Sequence, residues 1–431
     1  MVEFTYYMKI KNFHDLATGK ERDVALMLAE TGLQAIDTKT IMEKNFVLTN
    51  GTLFIGGKPI SIKDAGRVFI VGVGKCAAEA VEVIEKTLLD IITDGIVLCV
   101  GDTNLKKVRT YCGTHPFPTA VNVEATSEII KLLSGMTEHD LVLFVISGGG
   151  SALLCQPQNM TCENEAAMLK TLFDDGATIE EINTLRKHIS SARGGFLAKY
   201  AYPAQVISLI FSDVLNDDIG FVASGPTVKD GTTIEDAKKI VEKYHLTGDK
   251  AIETSLIETP KEDMYFKNVW NTIVISNSTA LHAMEERAKE LGFSPVLKTL
   301  FGEARDVGSR IVSELKSAPH KTALLYGGET TVTIKKNGKG GRGLELVLSA
   351  CRTVGTGELV MSVASDGRDN TDYAGALCDI MTKEKARKFG LDVDQHLEGN
   401  ESYKFFEYVG DYLMTGSTGS NVSDLVIGIK L

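Results

Sequence analysis

Lys75 and Arg342 are the two cations whose neighbours fit them for work on an anionic group. Lys75 ends Gly72-Val73-Gly74-Lys75, and Arg342 follows Gly340-Gly341. Three further small-residue turns stand where apolar runs end: Ser147-Gly148-Gly149-Gly150-Ser151, Gly327-Gly328-Glu329 and 415–420 (TGSTGS). A turn without Cβ atoms lets successive backbone N–H groups converge on one spot, and phosphate is their usual guest. An ammonium at Lys75 would neutralise such an anion. The five donors of Arg342 match a transferring phosphoryl group and make it a candidate for stabilising transition-state charge.

Other residues could complete the chemistry. On a helix, Asn183, Arg186, Lys187 and Ser190 share roughly one face, so Arg186 is a candidate for an anionic substrate, although solvated surface charges read the same way. Asp213 and Asp217, in 212–218 (SDVLNDD), follow a strand, and Asp366 opens a second acidic loop. Carboxylates there suit Mg²⁺ held through water, or a hydroxyl to be oriented; Asp and Asn also simply make turns. Glu329 is a further acidic candidate, and Thr418 and Asn421 add hydroxyl and amide groups in 415–424. His188 could serve as a base or ligand, yet a lone histidine is more often a structural donor, and the same holds for His115. No H-E-x-x-H or cysteine–histidine arrangement suggests a zinc site.

The first turn has another reading. Gly72, Gly74 and Ala77 fit G-x-G-x-x-A, the dinucleotide fingerprint, with Asp102 where a ribose-binding carboxylate could sit. A nicotinamide-dependent reductase therefore stands as the alternative, and a non-catalytic sensor of sugar acids as a third. A Walker loop is excluded, because Phe69 occupies its first glycine position and Cys76 follows the lysine.

These residues need a scaffold that brings strand ends together. Apolar runs at 67–73 (RVFIVGV), 95–100, 141–146 (LVLFVI) and 205–211 alternate with helical periodicity, including a helix opening at Thr178 with capping-box form. The rhythm predicts an α/β fold with a larger Rossmann-like domain on a mostly parallel sheet. The polar stretch 247–268 separates it from a smaller α/β domain, giving domains of 1–255 and 256–431. Strands are expected in the second at 272–275, 323–326, 331–334, 359–364 and 425–429, with a hairpin at 329–335 that makes its sheet mixed.

Composition narrows the class. A 431-residue chain with 43% hydrophobic residues can bury two cores, and a net charge of −11 argues against nucleic acid. Seven cysteines without a C-x-x-C pair fit a reducing compartment, and no apolar run approaches membrane-spanning length. A cytoplasmic protein acting on small molecules is expected, with no membrane partner, as a monomer or homodimer.

Taken in order, Ser147 to Ala152, Asn183 to Gly195, Ser212 to Thr227, Gly327 to Val332, Gly340 to Glu345, Asp366 to Ala376 and Thr415 to Asp424 resemble the glycerate 2-kinase family with a MOFRL-type C-terminal domain. The resemblance implies a cleft between two domains and ATP- and Mg²⁺-dependent phosphorylation of D-glycerate at its 2-hydroxyl. It matches Lys75 and Arg342 to the family's catalytic candidates. Beside these, Gly74 and Ser147 to Ser151 are candidates to hold anionic groups with Arg186; Asp213 or Asp217 could align the hydroxyl or, with Glu329 and Asp366, hold Mg²⁺ through water, Asp213 being the candidate for alignment and Asp217 and Asp366 those for the metal. The chain departs from the family's GGRNQE at Gly343 and Leu344, from its DGxDGPTDAAGA at Asn370, Thr371 and Tyr373, and from its TGPTGTN at Ser417.

Overall fold

The computed structural model describes residues 8–63, 65–101, 103–214, 217–248 and 250–431. They form two compact units, 38–275 and a second made of 8–37 with 276–431.

The unit 38–275 is built on six strands, all parallel, lying in the order Arg109–Cys112, Ile92–Cys99, Val68–Val73, Leu141–Ser147, Gln205–Phe211, Val269–Ile275. Val68–Val73 and Leu141–Ser147 are buried along their whole length, which is why they read as unbroken apolar runs rather than alternating ones. Counted along the chain the order is 3-2-1-4-5-6, the doubly wound arrangement. It reverses direction between Val68–Val73 and Leu141–Ser147, the point at which open α/β sheets of this kind take their ligands, in the crevice outside the carboxyl ends of the strands. The capping box foreseen at Thr178 forms: its hydroxyl accepts from Glu181 N at 3.3 Å, and the Glu181 carboxylate accepts from Thr178 N at 3.0 Å. A small antiparallel sheet, Phe46–Thr49, Thr52–Ile55 and Lys58–Ser61, completes the strands of the unit.

The other unit carries a six-stranded mixed sheet in the order Ser294–Leu300, Thr322–Gly328, Asp424–Lys430, Glu358–Ala364, Gly375–Cys378, Tyr412–Leu413. Only the first pair is parallel. The sheet is mixed because the C-terminal strand enters its middle antiparallel to both neighbours, and not through a hairpin at 329–335. Residues 331–334 form no strand; Thr331 makes a single bridge to Glu303. Side chains satisfy that backbone instead: Thr333 N donates to Glu303 Oε1 at 3.0 Å, and Lys335 N to Asn400 Oδ1 at 2.7 Å. With these donors taken, no ladder is needed there.

The units also divide the chain differently from 1–255 and 256–431. Val269–Ile275 pairs in register with Gln205–Phe211, so the first sheet extends to Ile275. The helix Lys20–Ala35 lies against Asn277–Glu290 and the C-terminal strand; a Cβ on Gly32 would sit 2.7 Å from Met284 Sδ and 3.2 Å from Leu425 Cδ1. Arg22, 1% exposed, gives Nε to Asp379 at 2.6 Å and Nη1 to Asp411 at 2.8 Å. A buried guanidinium costs several kcal/mol unless paired in this way. Its partners lie more than 350 residues away in sequence, beyond the reach of any local pattern.

Candidate functional site

In the unit 38–275 the two glycine turns meet at the reversal of strand order. Gly74 adopts φ +127°, and a Cβ there would lie 2.0 Å from Ser147 Oγ and 2.6 Å from its carbonyl oxygen. Only glycine permits both the backbone angle and the approach. Lys75 N donates to Gly148 O at 2.9 Å, Gly74 N to Leu98 O at 3.1 Å, and Cys76 N to Ser147 Oγ at 3.4 Å. The amides of the first turn are therefore spent inside the protein. What this turn adds beside the second one is the Lys75 side chain. Its stem crosses Gly149, where a Cβ would lie 3.2 Å from Lys75 Cγ.

The second turn is fixed from the other side. Gly150 faces Ala223, whose Cβ would be 2.5 Å from an added one. Ser151 Oγ lies 2.9 Å from Ser224 Oγ, which donates to Asn183 Oδ1 at 2.8 Å. This relay ties the glycine loop to the helix Ile179–His188. Ala223 and Ser224 hold φ near +51° and +59°, a strained conformation for residues with side chains, of the kind that collects at functional sites.

Arg186 projects from the same helix. Its Nε is buried with no hydrogen-bond partner among the described residues, and burial, with the like charge of Arg193, pushes its guanidinium down to about 10. Arg193 is fully buried, pairs with Glu165 at 2.6 Å, and leaves Nε and Nη2 without a partner among the described residues. His188 bonds Ile257 O and Thr232 Oγ1, so it has the structural place its lone occurrence suggested. Lys187 reaches Asp230 at 3.2 Å on the wall of a cavity of about 340 Å³, which Asn183, Asp218, Phe221 and Thr232 also line.

Asp213 follows the strand Gln205–Phe211, half-buried, close enough that its charge helps raise the Cys76 thiol, which burial pushes up to about 12. Asp217, further along the same segment, stands at φ +53°. Asp102, the candidate ribose ligand, lies outside the described residues. Among the described residues no group of three or more His, Cys, Asp or Glu is arranged to hold a metal ion. Asp217 and Asp366 belong to different units.

In the other unit, Arg342 is the first residue of the helix Arg342–Cys351 and points at the edge where the central strand begins. Its Nε donates to Asp424 Oδ2 at 2.5 Å and its Nη2 to Glu329 Oε1 at 2.8 Å. Asp424 sits in the sheet between Gly328 and Ala364. Asp369 accepts from Gly343 N at 3.2 Å and Leu344 N at 2.6 Å, capping the same helix. Burial, joined by the negative charges of Asp369 and Glu329, outweighs Arg342 and raises the Asp424 carboxyl to about 7. Asp369 is raised as well, mainly by burial.

Asp424 and Asp369 were not singled out from the sequence. The available signal was their position, one at the start of an apolar strand and one in an acidic loop; both look like ordinary turn residues until the helix of Arg342 is set beside them. The departures at Gly343 and Leu344 also find a place. A Cβ on Gly343 would lie 2.6 Å from Ser362 Oγ, and Leu344 is wholly buried in the core.

The loops 365–369 and 415–420 pack backbone to backbone: a Cβ on Gly367 would meet Gly416 O at 1.9 Å. Thr418 Oγ1 donates to Ser365 O at 2.5 Å, so its proton holds the two loops together. Asp366 accepts from Arg368 N at 3.0 Å. Asn421 lies between Ser420, which donates to Ile36 O at 2.5 Å, and Val422, whose N donates to Ser365 Oγ at 2.8 Å.

A doubly wound parallel unit with a lysine-bearing glycine turn, followed by a mixed-sheet unit with an arginine-headed helix, defines a two-unit class of α/β protein. Residues 24–257 match the family model described as a domain of unknown function, DUF4147, and 322–424 match the MOFRL family. The chain is 37% identical to the glycerate 2-kinase of Pyrococcus horikoshii, over 95% of this chain and 97% of that protein. The crystal structure of the glycerate kinase of Thermotoga maritima superposes with a TM-score of 0.83 at 33% identity, covering 95% of this chain and 99% of that one. A relative in Agrobacterium vitis, 34% identical over 84% of this chain and 86% of its own, carries the provisional name hydroxypyruvate reductase. The chain belongs to the glycerate 2-kinase family of DUF4147–MOFRL proteins. No helix among the described residues is long and apolar enough to cross a membrane.

Proposed function

We propose that this protein transfers the terminal phosphoryl group of ATP, with Mg²⁺, to the 2-hydroxyl of D-glycerate, giving 2-phosphoglycerate and ADP. The observation that carries the reading is Lys75. A lysine on a turn whose own amides are spent leaves its side-chain positive charge as what the turn can offer an anionic group. Dinucleotide sites instead use the turn's N–H groups on the pyrophosphate.

Phosphoryl transfer asks for positioning and charge balance more than covalent chemistry. Lys75 and Arg342 balance charge on the transferred group, and Asp213 orients the attacking hydroxyl. The glycine-loop amides and Ser147 to Ser151 bind anionic groups. The cavity walled by Lys187, whose ammonium pairs with Asp230, is the place for a small hydroxy acid, with Arg186 as a further cation on the same helix. Mg²⁺ commonly needs only one or two carboxylates besides the nucleotide's phosphates. Asp213 or Asp217 fits that need in the first unit, and Asp366 in the other. The metal would supply neutralisation of the donor phosphates.

The reductase reading keeps one specific support, the strand order around a G-x-G-x-x-A turn together with relatives so named. One assay separates the two. Purified protein is incubated with ATP, Mg²⁺ and D-glycerate and followed by ³¹P NMR, beside hydroxypyruvate with NADH followed at 340 nm. Equal amounts of ADP and 2-phosphoglycerate support the kinase; NADH consumption with no ADP overturns it.

A further inference from the structure

His115 lies on a loop that follows the edge strand Arg109–Cys112, yet its ring reaches the glycine loop beyond Leu141–Ser147. A Cβ on Gly149 would lie 3.2 Å from His115 Cδ2 and 3.4 Å from its Nε2, and equally 3.2 Å from Lys75 Cγ. The imidazole and the lysine stem thus flank one glycine, at the strand-order reversal. Gly149, at φ +80°, is the residue whose missing side chain lets both approach.

A buried clamp holds the histidine loop in this place. Asn122, 0% exposed, accepts from Thr114 N at 3.0 Å and Thr119 N at 3.1 Å. Its amide donates to Thr114 O at 3.1 Å and, across to the end of the glycine loop, to Ala152 O and Leu153 O at 3.4 Å each. A buried side-chain amide is costly unless its bonds are made; those to Thr114 and Thr119 hold the histidine loop in shape, and those to Ala152 and Leu153 register it against the glycine loop. His115 itself is exposed, so its ring fills no core. Its place beside Lys75 has a ready use in ligand contact.

We infer that His115 is a phosphate-binding residue of the site marked by Lys75, its Nε2 hydrogen-bonding a non-bridging oxygen of the donor nucleotide's phosphates. The inference rests on the kinase reading above. Lys75 supplies charge from one side of Gly149, and the imidazole supplies a directed hydrogen bond from the other. No bond is made or broken at His115.

The test compares His115→Ala, His115→Asn and Lys75→Ala with the unchanged chain, using calorimetric titration of ADP and steady-state KM values for ATP and D-glycerate. Losing one hydrogen bond to a charged group should weaken ADP binding and raise the KM for ATP about tenfold to a hundredfold, with KM for glycerate unchanged. His115→Asn, which keeps a donor near the same place, should recover part of the loss; a merely structural role would not produce that split. If Lys75→Ala weakens ADP binding and both His115 variants leave it intact, the inference fails and the kinase site stands. Unchanged ADP binding in all three variants would overturn both. Should His115→Ala fail to fold, His115→Asn decides alone: weakened ADP binding supports the inference, and unchanged binding overturns it.

Discussion

Arg342 Nε and Asp424 Oδ2 are 2.5 Å apart, the arginine opening a helix and the aspartate opening the central strand of the mixed sheet. Neither neighbour in sequence brings them together; the antiparallel insertion of the last strand does. With Glu329 and Asp369 nearby, three carboxylates surround one guanidinium, which holds its proton well above the ordinary arginine range.

Arg342→Ala should lower kcat by about a thousandfold, the scale of losing an arginine that balances charge on a transferring phosphoryl group. Arg342→Lys should recover only part of it, since an ammonium cannot reproduce the fork that reaches Asp424 and Glu329 together. Steady-state rates with saturating ATP and D-glycerate check this, with unfolding midpoints to show that both variants fold. A near-normal kcat in both would remove Arg342 from the mechanism.

Asp424 predicts a pH effect on stability. Its folded value of about 7 lies above the ordinary carboxylate value of ~3.9, so the folded chain holds this proton more tightly than the unfolded one. The group's contribution is fully present below pH ~4 and is lost as pH rises through about 7. Urea unfolding of the native chain and of Asp424→Asn at pH 5 and pH 8 should show a smaller pH difference in the variant. Equal differences would place the Asp424 titration in the ordinary range.

Gly74→Ala should cost about 2–5 kcal/mol, combining a disfavoured backbone angle with a clash on Ser147. Gly135→Ala is the comparison. It shares a positive φ, +83°, with no atom within 4 Å of the added Cβ, so backbone strain alone, about 1 kcal/mol, should remain. Denaturant midpoints of the two variants measure the difference. Equal losses would show that the contact between the two turns is soft.

Arg22→Ala should destabilise the unit of 8–37 and 276–431 by about 3–5 kcal/mol, because Asp379 and Asp411 would be left buried with less than their full complement of charge. Hydrogen exchange read separately over the two units should place the loss in this one. Loss confined to residues 38–275 would contradict the assignment of the N-terminal helix.

Local patterns carried much of this architecture. Apolar β-branched runs of strand length, separated by helical periodicity, identified the buried parallel strands, because a strand covered on both faces has no polar alternation to dilute it. The capping box at Thr178 and Glu181 was legible since both partners lie within one turn. Strand 331–334 was misread for the converse reason: its composition suits a strand, and the side chains of Glu303 and Asn400 that satisfy its backbone come from elsewhere.

For the candidate site, glycine spacing marked Gly74, Lys75 and the loop Ser147 to Ser151, since a turn that must admit close backbone approach leaves glycine as its trace. What those glycines face was invisible: that Gly74 meets Ser147, that Gly149 separates Lys75 from His115, and that Arg342 is met by Asp424. The sequence alone determined element types and the residues able to bind an anion, because propensity, periodicity and turn chemistry act over a few residues. Tertiary structure decided strand order, the placing of the N-terminal helix with the C-terminal unit, and the pairing of charges. Those depend on contacts between segments tens to hundreds of residues apart, which no local pattern encodes.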